Sequence, residues 1–118
     1  MSEEKRIVKS YEEEMQSLND DLVKMGSLTE SQLSDTIQAI VKIDKEAAEN
    51  IVKNDAQINE LRAKIDDQIS TVLVKRAPMA IDLRTTISSL KISHDLERIG
   101  DLAKSVAKKI EPLPIDLP

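Results

Sequence analysis

The sequence predicts an all-α fold, an antiparallel three-helix bundle with a broken second helix, and three observations predict it. Apolar residues recur at steps of three and four along almost the whole chain, the period of an amphipathic helix. Only two Gly and four Pro interrupt that pattern, and 33% of the residues are charged, the composition of long solvated helices rather than of a sandwich or barrel. The strongest helix boundaries fall near Asp44 and Pro78, leaving three stretches that each read as helix. At 118 residues one core is expected, with the bundle over residues 1–111 and a Pro-rich linker or tail over residues 112–118.

The first helix is expected from about Ile7 to Ile43, with Tyr11, Met15, Leu18, Leu22, Met25, Leu33, Ile37, Ile40 and Val41 on its apolar stripe. It would be roughly 50 Å long at 1.5 Å per residue. Gly26 inside it reads as a bend or a close helix crossing. Asp44 is a good N-cap, and Glu46 in the following turn complements the helix dipole, so a second helix starts there after a tight turn. Its stripe runs through Ala47, Ala48, Ile51 and Val52, is broken or kinked at Asn54 and Asp55, and resumes through Ile58, Leu61, Ile65, Ile69, Val72 and Leu73 to about Lys75. Pro78 disfavours helical geometry at Ala77 and suits the first position of a third helix, which meets no strong breaker before Pro112. On that helix Leu83, Ile87 and Leu90 share a face with His94, Glu97 and Asp101, so an apolar stripe becomes acidic. Ile92, Leu96, Ile99, Ala103, Val106 and Ile110 are expected to be the buried side of its C-terminal half.

The absence of Cys, Trp and Phe excludes disulfides, thiolate metal sites and aromatic platforms for stacked bases, and leaves the core to Leu, Ile, Val, Ala and Met. A net charge of -5 argues against a nucleic-acid partner. The polar opening MSEEKRIVKS is no signal peptide and no run has the length of a membrane span, so a cytoplasmic location is expected, with membrane association only through partners. A Gly-rich phosphate loop and a nucleophile paired with a base are both missing, and enzyme activity is not expected.

Glu97 and Asp101 lie one helical turn apart and aim two carboxylates in one direction. On the antiparallel second helix Asp55 and Asn59 repeat that spacing and Asp66 follows on the same face, so these residues could complete an oxygen-rich site for Mg, Mn, Fe or Zn. The spacing describes a solvated acidic face equally well, which is the commoner use of acids four apart. The lone His94 lacks the Glu-x-x-His pairs of a di-iron bundle, and the run SHDLER, although similar to the phosphoaccepting segment of histidine kinases, has no Pro after it. Arg84, Lys91 and Arg98 are basic residues on the same helix that could answer acidic groups on a partner.

The run LKISHDLERIGDLAKSVAKKI resembles the signature of the PhoU family, helical regulators of bacterial phosphate uptake and phosphate signalling. The resemblance extends through SYEEEMQSLNDDLVKMGSLTE, IVKNDAQINELRAKID and KRAPMAIDLRTTISSLKISHDLERIGD, nearly the whole chain. It implies a three-helix repeat and an adaptor, not an enzyme. Such an adaptor would hold down the phosphate-starvation response by contacting a phosphate-sensing histidine kinase and the ATPase subunit of an ABC phosphate transporter. Some family members bind metal clusters through acid-x-x-x-Asp motifs, matched here by Glu97 and Asp101. Asn59 stands where many relatives have an acid, Arg62 where Glu often precedes Asp66, Leu102 where His is frequent and Ala77 where Gln is frequent, which implies fewer ligands and a weaker site. The family usually carries two tandem repeats and this chain matches one, as an N-terminal fragment would. The face that meets the sibling repeat would then be exposed, and a concentration-dependent homodimer is expected. The alternatives are a metal-binding or metal-sensing bundle and an accessory protein of another phosphate transporter.

Overall fold

The computed structural model describes residues 2–76 and 80–114. Three α-helices fill almost all of them: α1 (Glu3–Lys42), α2 (Lys45–Arg76) and α3 (Ala80–Ile110). Ser2 caps α1, its hydroxyl accepting from the Lys5 N–H, and so the helix begins a turn earlier than the apolar stripe announces. Its end is set by Ile43, whose φ of 50 puts it in the left-handed region, a conformation costing about 1–2 kcal/mol for a side-chain-bearing residue. The reversed chain then lets the Asp44 N–H bond the Ala39 carbonyl at 2.9 Å, while Asp44 Oδ1 accepts from the Ala47 N–H at 3.0 Å and starts α2. The expected start of the third helix at Ala77 and Pro78 lies outside the described residues, as does the end of the tail beyond Pro114.

Each helix packs against both others. Ser17 meets Gln68, Asp21 meets Lys64 and Gln32 meets Asp55, so α1 and α2 run antiparallel. Arg62 meets Glu97 and Asp55 meets Lys104, so α3 runs antiparallel to α2 and parallel to α1. Residues seven apart line the bundle axis: Leu18, Met25, Gln32 and Ala39 from α1, Ile51, Ile58, Ile65 and Val72 from α2, and Thr86, Ser93, Gly100 and Ala107 from α3.

Three expectations are corrected. The second helix is not broken: α2 is continuous through Asn54 and Asp55, because the Asp55 carboxylate is engaged by other side chains and does not compete for the backbone of its own helix. Gly26 is no close crossing, since a Cβ there would meet nothing within 4 Å; the close approach is at Gly100, where a Cβ would lie 3.3 Å from Ile58 Cδ1. The buried face of α3 is only partly the expected one: Ala103 and Ile110 are buried and Leu96 packs against the core. Ile92, Ile99 and Val106 are substantially exposed, as are Leu33, Ile37 and Ile40 on α1, while small or polar residues fill the seam. The seam tolerates its hydroxyls because they satisfy themselves: Thr29, Thr36 and Ser89 donate to the carbonyl four residues back, and Ser93 to the one three back.

Two apolar clusters result. The larger gathers Leu18, Met25, Ile58, Leu61, Ile65 and Ile69, and the smaller gathers Ala39, Ala48, Ile51, Ala107 and Ile110 near the α1–α2 turn. Between them lies a polar layer.

Candidate functional site

The polar layer is built from one residue of each helix. Gln32 of α1, buried, donates from Nε2 to Asp55 Oδ1 of α2 at 2.9 Å and to the Gly100 carbonyl of α3 at 2.9 Å. Asp55 is only 1% exposed. Its Oδ2 accepts from Asn59 Nδ2 at 3.3 Å and lies 3.7 Å from Lys104 Nζ, so the carboxylate is surrounded by donors from three helices. Gly100 is the only residue type that lets the α3 backbone come this close to Asp55 and Ile58 without a side chain in the way.

Two turns along, at the α2/α3 surface, stands a second cluster. Arg62 Nη1 donates to both carboxylate oxygens of Glu97 at 3.0 Å, and Nη2 lies 3.1 Å from His94 Nε2. A guanidinium has only donors, so His94 Nε2 is the acceptor in that contact. Arg62 Nε is 3.6 Å from Asp66 Oδ2, and Asp66 Oδ1 is 3.5 Å from His94 Nε2. The Arg62 and Glu97 side chains are 34% and 20% exposed, so the pair is partly withdrawn from water and more persistent than a surface ion pair.

The structure therefore separates the expected ligands. Glu97 turns to Arg62, Asp55 points into the bundle, Asn59 serves Asp55, Asp66 sits beside Arg62 and His94, and Asp101 is exposed. Among the described residues no three His, Asp or Glu side chains gather as a metal cage. Gln32 and Lys104 escaped the sequence reading because a donor from another helix leaves no trace in the spacing of the acids. Arg62 was visible only as a departure from the family pattern.

Two further faces are defined by helix phase. Arg84, Lys91 and Arg98, seven apart and all exposed, form a basic line along the outer ridge of α3, spaced about 10 Å apart. Arg98 comes no nearer than 3.8 Å to Asp95, with both side chains largely in water. On α1, Ser31, Asp35 and Gln38 border α2, which turns Leu33, Ile37 and Ile40 toward the α3 flank; on α3, Glu97 and Lys104 face α2, which turns Ile92, Ile99 and Val106 toward the α1 flank. An exposed apolar strip thus borders the α1/α3 groove.

Long helices whose distinct features are faces, with open grooves between α1 and α2, define a helical-bundle module. Residues 22–110 match the family model described as the PhoU domain, and the chain belongs to the PhoU family. It is 40% identical to the phosphate-specific transport system accessory protein PhoU homolog of Caulobacter vibrioides, over 86% of this chain and 44% of that one. The protein of the same name in Rhizobium meliloti is 34% identical over 88% of this chain and 44% of its own. The crystal structure of PhoU from Pseudomonas aeruginosa superposes with a TM-score of 0.83 at 37% identity, covering 86% of this chain and 48% of that one. The chain thus spans about half the length of the relatives it matches. Those relatives are named as accessory proteins, not as enzymes. No described helix is long and apolar enough to cross a membrane.

Proposed function

We propose that this chain is an accessory module of a phosphate-specific transport system: a cytoplasmic adaptor that restrains phosphate uptake and the phosphate-starvation response by binding the transporter's ATPase subunit and a phosphate-sensing histidine kinase. The observation that carries the reading is the likeness to accessory proteins of that system over 86% or more of the chain. The basic line Arg84, Lys91 and Arg98 supports it, because exposed cations at a regular spacing on one rigid helix suit an acidic partner surface. The exposed strip of Leu33, Ile37, Ile40, Ile92, Ile99 and Val106 is the face for a second three-helix bundle, supplied here by a second copy of the chain. Soluble monomers seldom leave a contiguous apolar patch beyond a few hundred Å2 uncovered, and a second copy presents the same strip for self-complementary pairing.

The test is a pull-down of the chain against the ATPase subunit and the cytoplasmic part of the kinase, beside the variant Arg84→Glu, Lys91→Glu, Arg98→Glu. Capture by the native chain and at least a tenfold loss in the variant, with unchanged helicity, is the expected result. Equal capture by both chains removes the basic line from the interface, and no capture by either removes the adaptor reading.

A further inference from the structure

We infer that Arg62 is the resident cation of the α2/α3 acidic face, and that its guanidinium occupies the place a metal ion would need. The family resemblance implies metal bound through the acids of this face, and the residues present do not fit that role. Three side chains of ligand type, Glu97, His94 and Asp66, each face a different nitrogen of one guanidinium, at 3.0 Å from Nη1, 3.1 Å from Nη2 and 3.6 Å from Nε. A transition metal sits about 2.0–2.2 Å from carboxylate or imidazole ligands, so an ion drawing these three together would overlap the guanidinium itself. Arginine cannot step aside by losing a proton. Displacing it would break a two-oxygen contact with Glu97 and leave a cation without its partner in a half-buried position.

The other half of the face is closed in the same manner. Asp55 Oδ1 already accepts from Gln32, and Oδ2 is held by Asn59 and faces Lys104 at 3.7 Å. Asp101, exposed, remains as the expected ligand without such an arrangement, and one exposed carboxylate is no chelate. The chain therefore carries its own two cations, Arg62 and Lys104, where the acids of this face would otherwise call for added charge. Its partner contacts are then independent of metal supply. That consequence rests on the adaptor reading; the closure of the face does not.

Calorimetric titration of the full chain with Zn2+ and with Mn2+ tests the inference without any partner, so its failure leaves the adaptor reading untouched. The native chain is expected to show no site in the micromolar range. Arg62→Ala and the bulkier Arg62→Gln, each checked for helicity by circular dichroism, are expected to bind Zn2+ at least tenfold more tightly than the native chain. Adding His94→Ala or Glu97→Gln to either variant should remove that gain. Stoichiometric micromolar binding by the native chain that Glu97→Gln abolishes overturns the inference. So does a failure of both folded Arg62 variants to gain affinity, because Arg62 would then not be what keeps metal out.

Discussion

The two glycines sit in helical backbone of the same kind, and replacing each by Ala separates helix propensity from packing. In both places Ala gains about 0.8–1.0 kcal/mol of intrinsic propensity over Gly. At Gly26 the new Cβ meets nothing within 4 Å, so the whole gain should appear as stability. For a chain of this size that is a rise of roughly 3–6 °C in Tm. At Gly100 the Cβ would lie 3.3 Å from Ile58 Cδ1 and 3.5 Å from Asp55 Oδ1. Ile58 is 1% exposed and cannot swing into solvent, and Asp55 Oδ1 is the acceptor for Gln32, which also holds the Gly100 carbonyl. Overpacking of this kind costs about 1–3 kcal/mol, which offsets or exceeds the propensity gain. Gly26→Ala should therefore be the more stable of the two variants by about 1–3 kcal/mol in urea unfolding followed at 222 nm, with all chains at one concentration. Equal stabilisation by both would refute the close α2/α3 approach at Gly100, and with it the geometry of the polar layer.

The remaining expectations concern other parts of the molecule. Asp55→Ala deprives Gln32 and Asn59 of their acceptor and leaves Lys104 facing an empty space; it should cost about 2–4 kcal/mol in the same unfolding assay. Ser93→Ala should change stability by less than about 0.5 kcal/mol although Ser93 is 0% exposed, because its hydroxyl bonds its own helix; Ser93→Leu should cost about 2 kcal/mol or more through overpacking. In sedimentation equilibrium the native chain should pass from monomer to dimer as concentration rises, and Ile37→Glu with Ile99→Glu should keep it monomeric. A native chain that is monomeric throughout the millimolar range would refute the pairing of apolar strips.

What could be read from the sequence follows from how local each signal is. The α1–α2 turn was legible because Asp44 caps within its own turn, and the three helices were legible because their breakers are widely spaced. Periodicity gave the phase of α3 only in part: Ala103 and Ile110 are buried as expected, but steps of three and four connect Ile92, Ile99 and Val106 as readily as they connect Ser93, Gly100 and Ala107. The close approach at Gly100 leaves no room for a large side chain at that level of the bundle. Similarly, the spacing of Glu97 and Asp101 was legible, but their destinations were not: Arg62, on another helix, draws Glu97 aside and leaves Asp101 in water. Asp55 looked like a breaker because a mid-helix Asp often turns to its own backbone, and here Gln32, Asn59 and Lys104, one from each helix, engage it instead.

The hydroxyl seam of α3 has a consequence for register. Thr86, Ser93, Gly100 and Ala107 are all small, and the Ser93 hydroxyl looks back to its own helix, so little along this line distinguishes one heptad from the next. Displaced by seven residues, α3 would still offer a narrow edge to α1 and α2, but the Cβ of Ser93 or Ala107 would stand where Gly100 leaves room beside Ile58. What tells the correct alignment from its neighbours is the polar layer, where Gly100 leaves room beside Ile58 and Lys104 faces Asp55, together with the Arg62–Glu97 pair two turns along. That layer works as a locating pin: without it the bundle would lose part of what holds its alignment as well as stability.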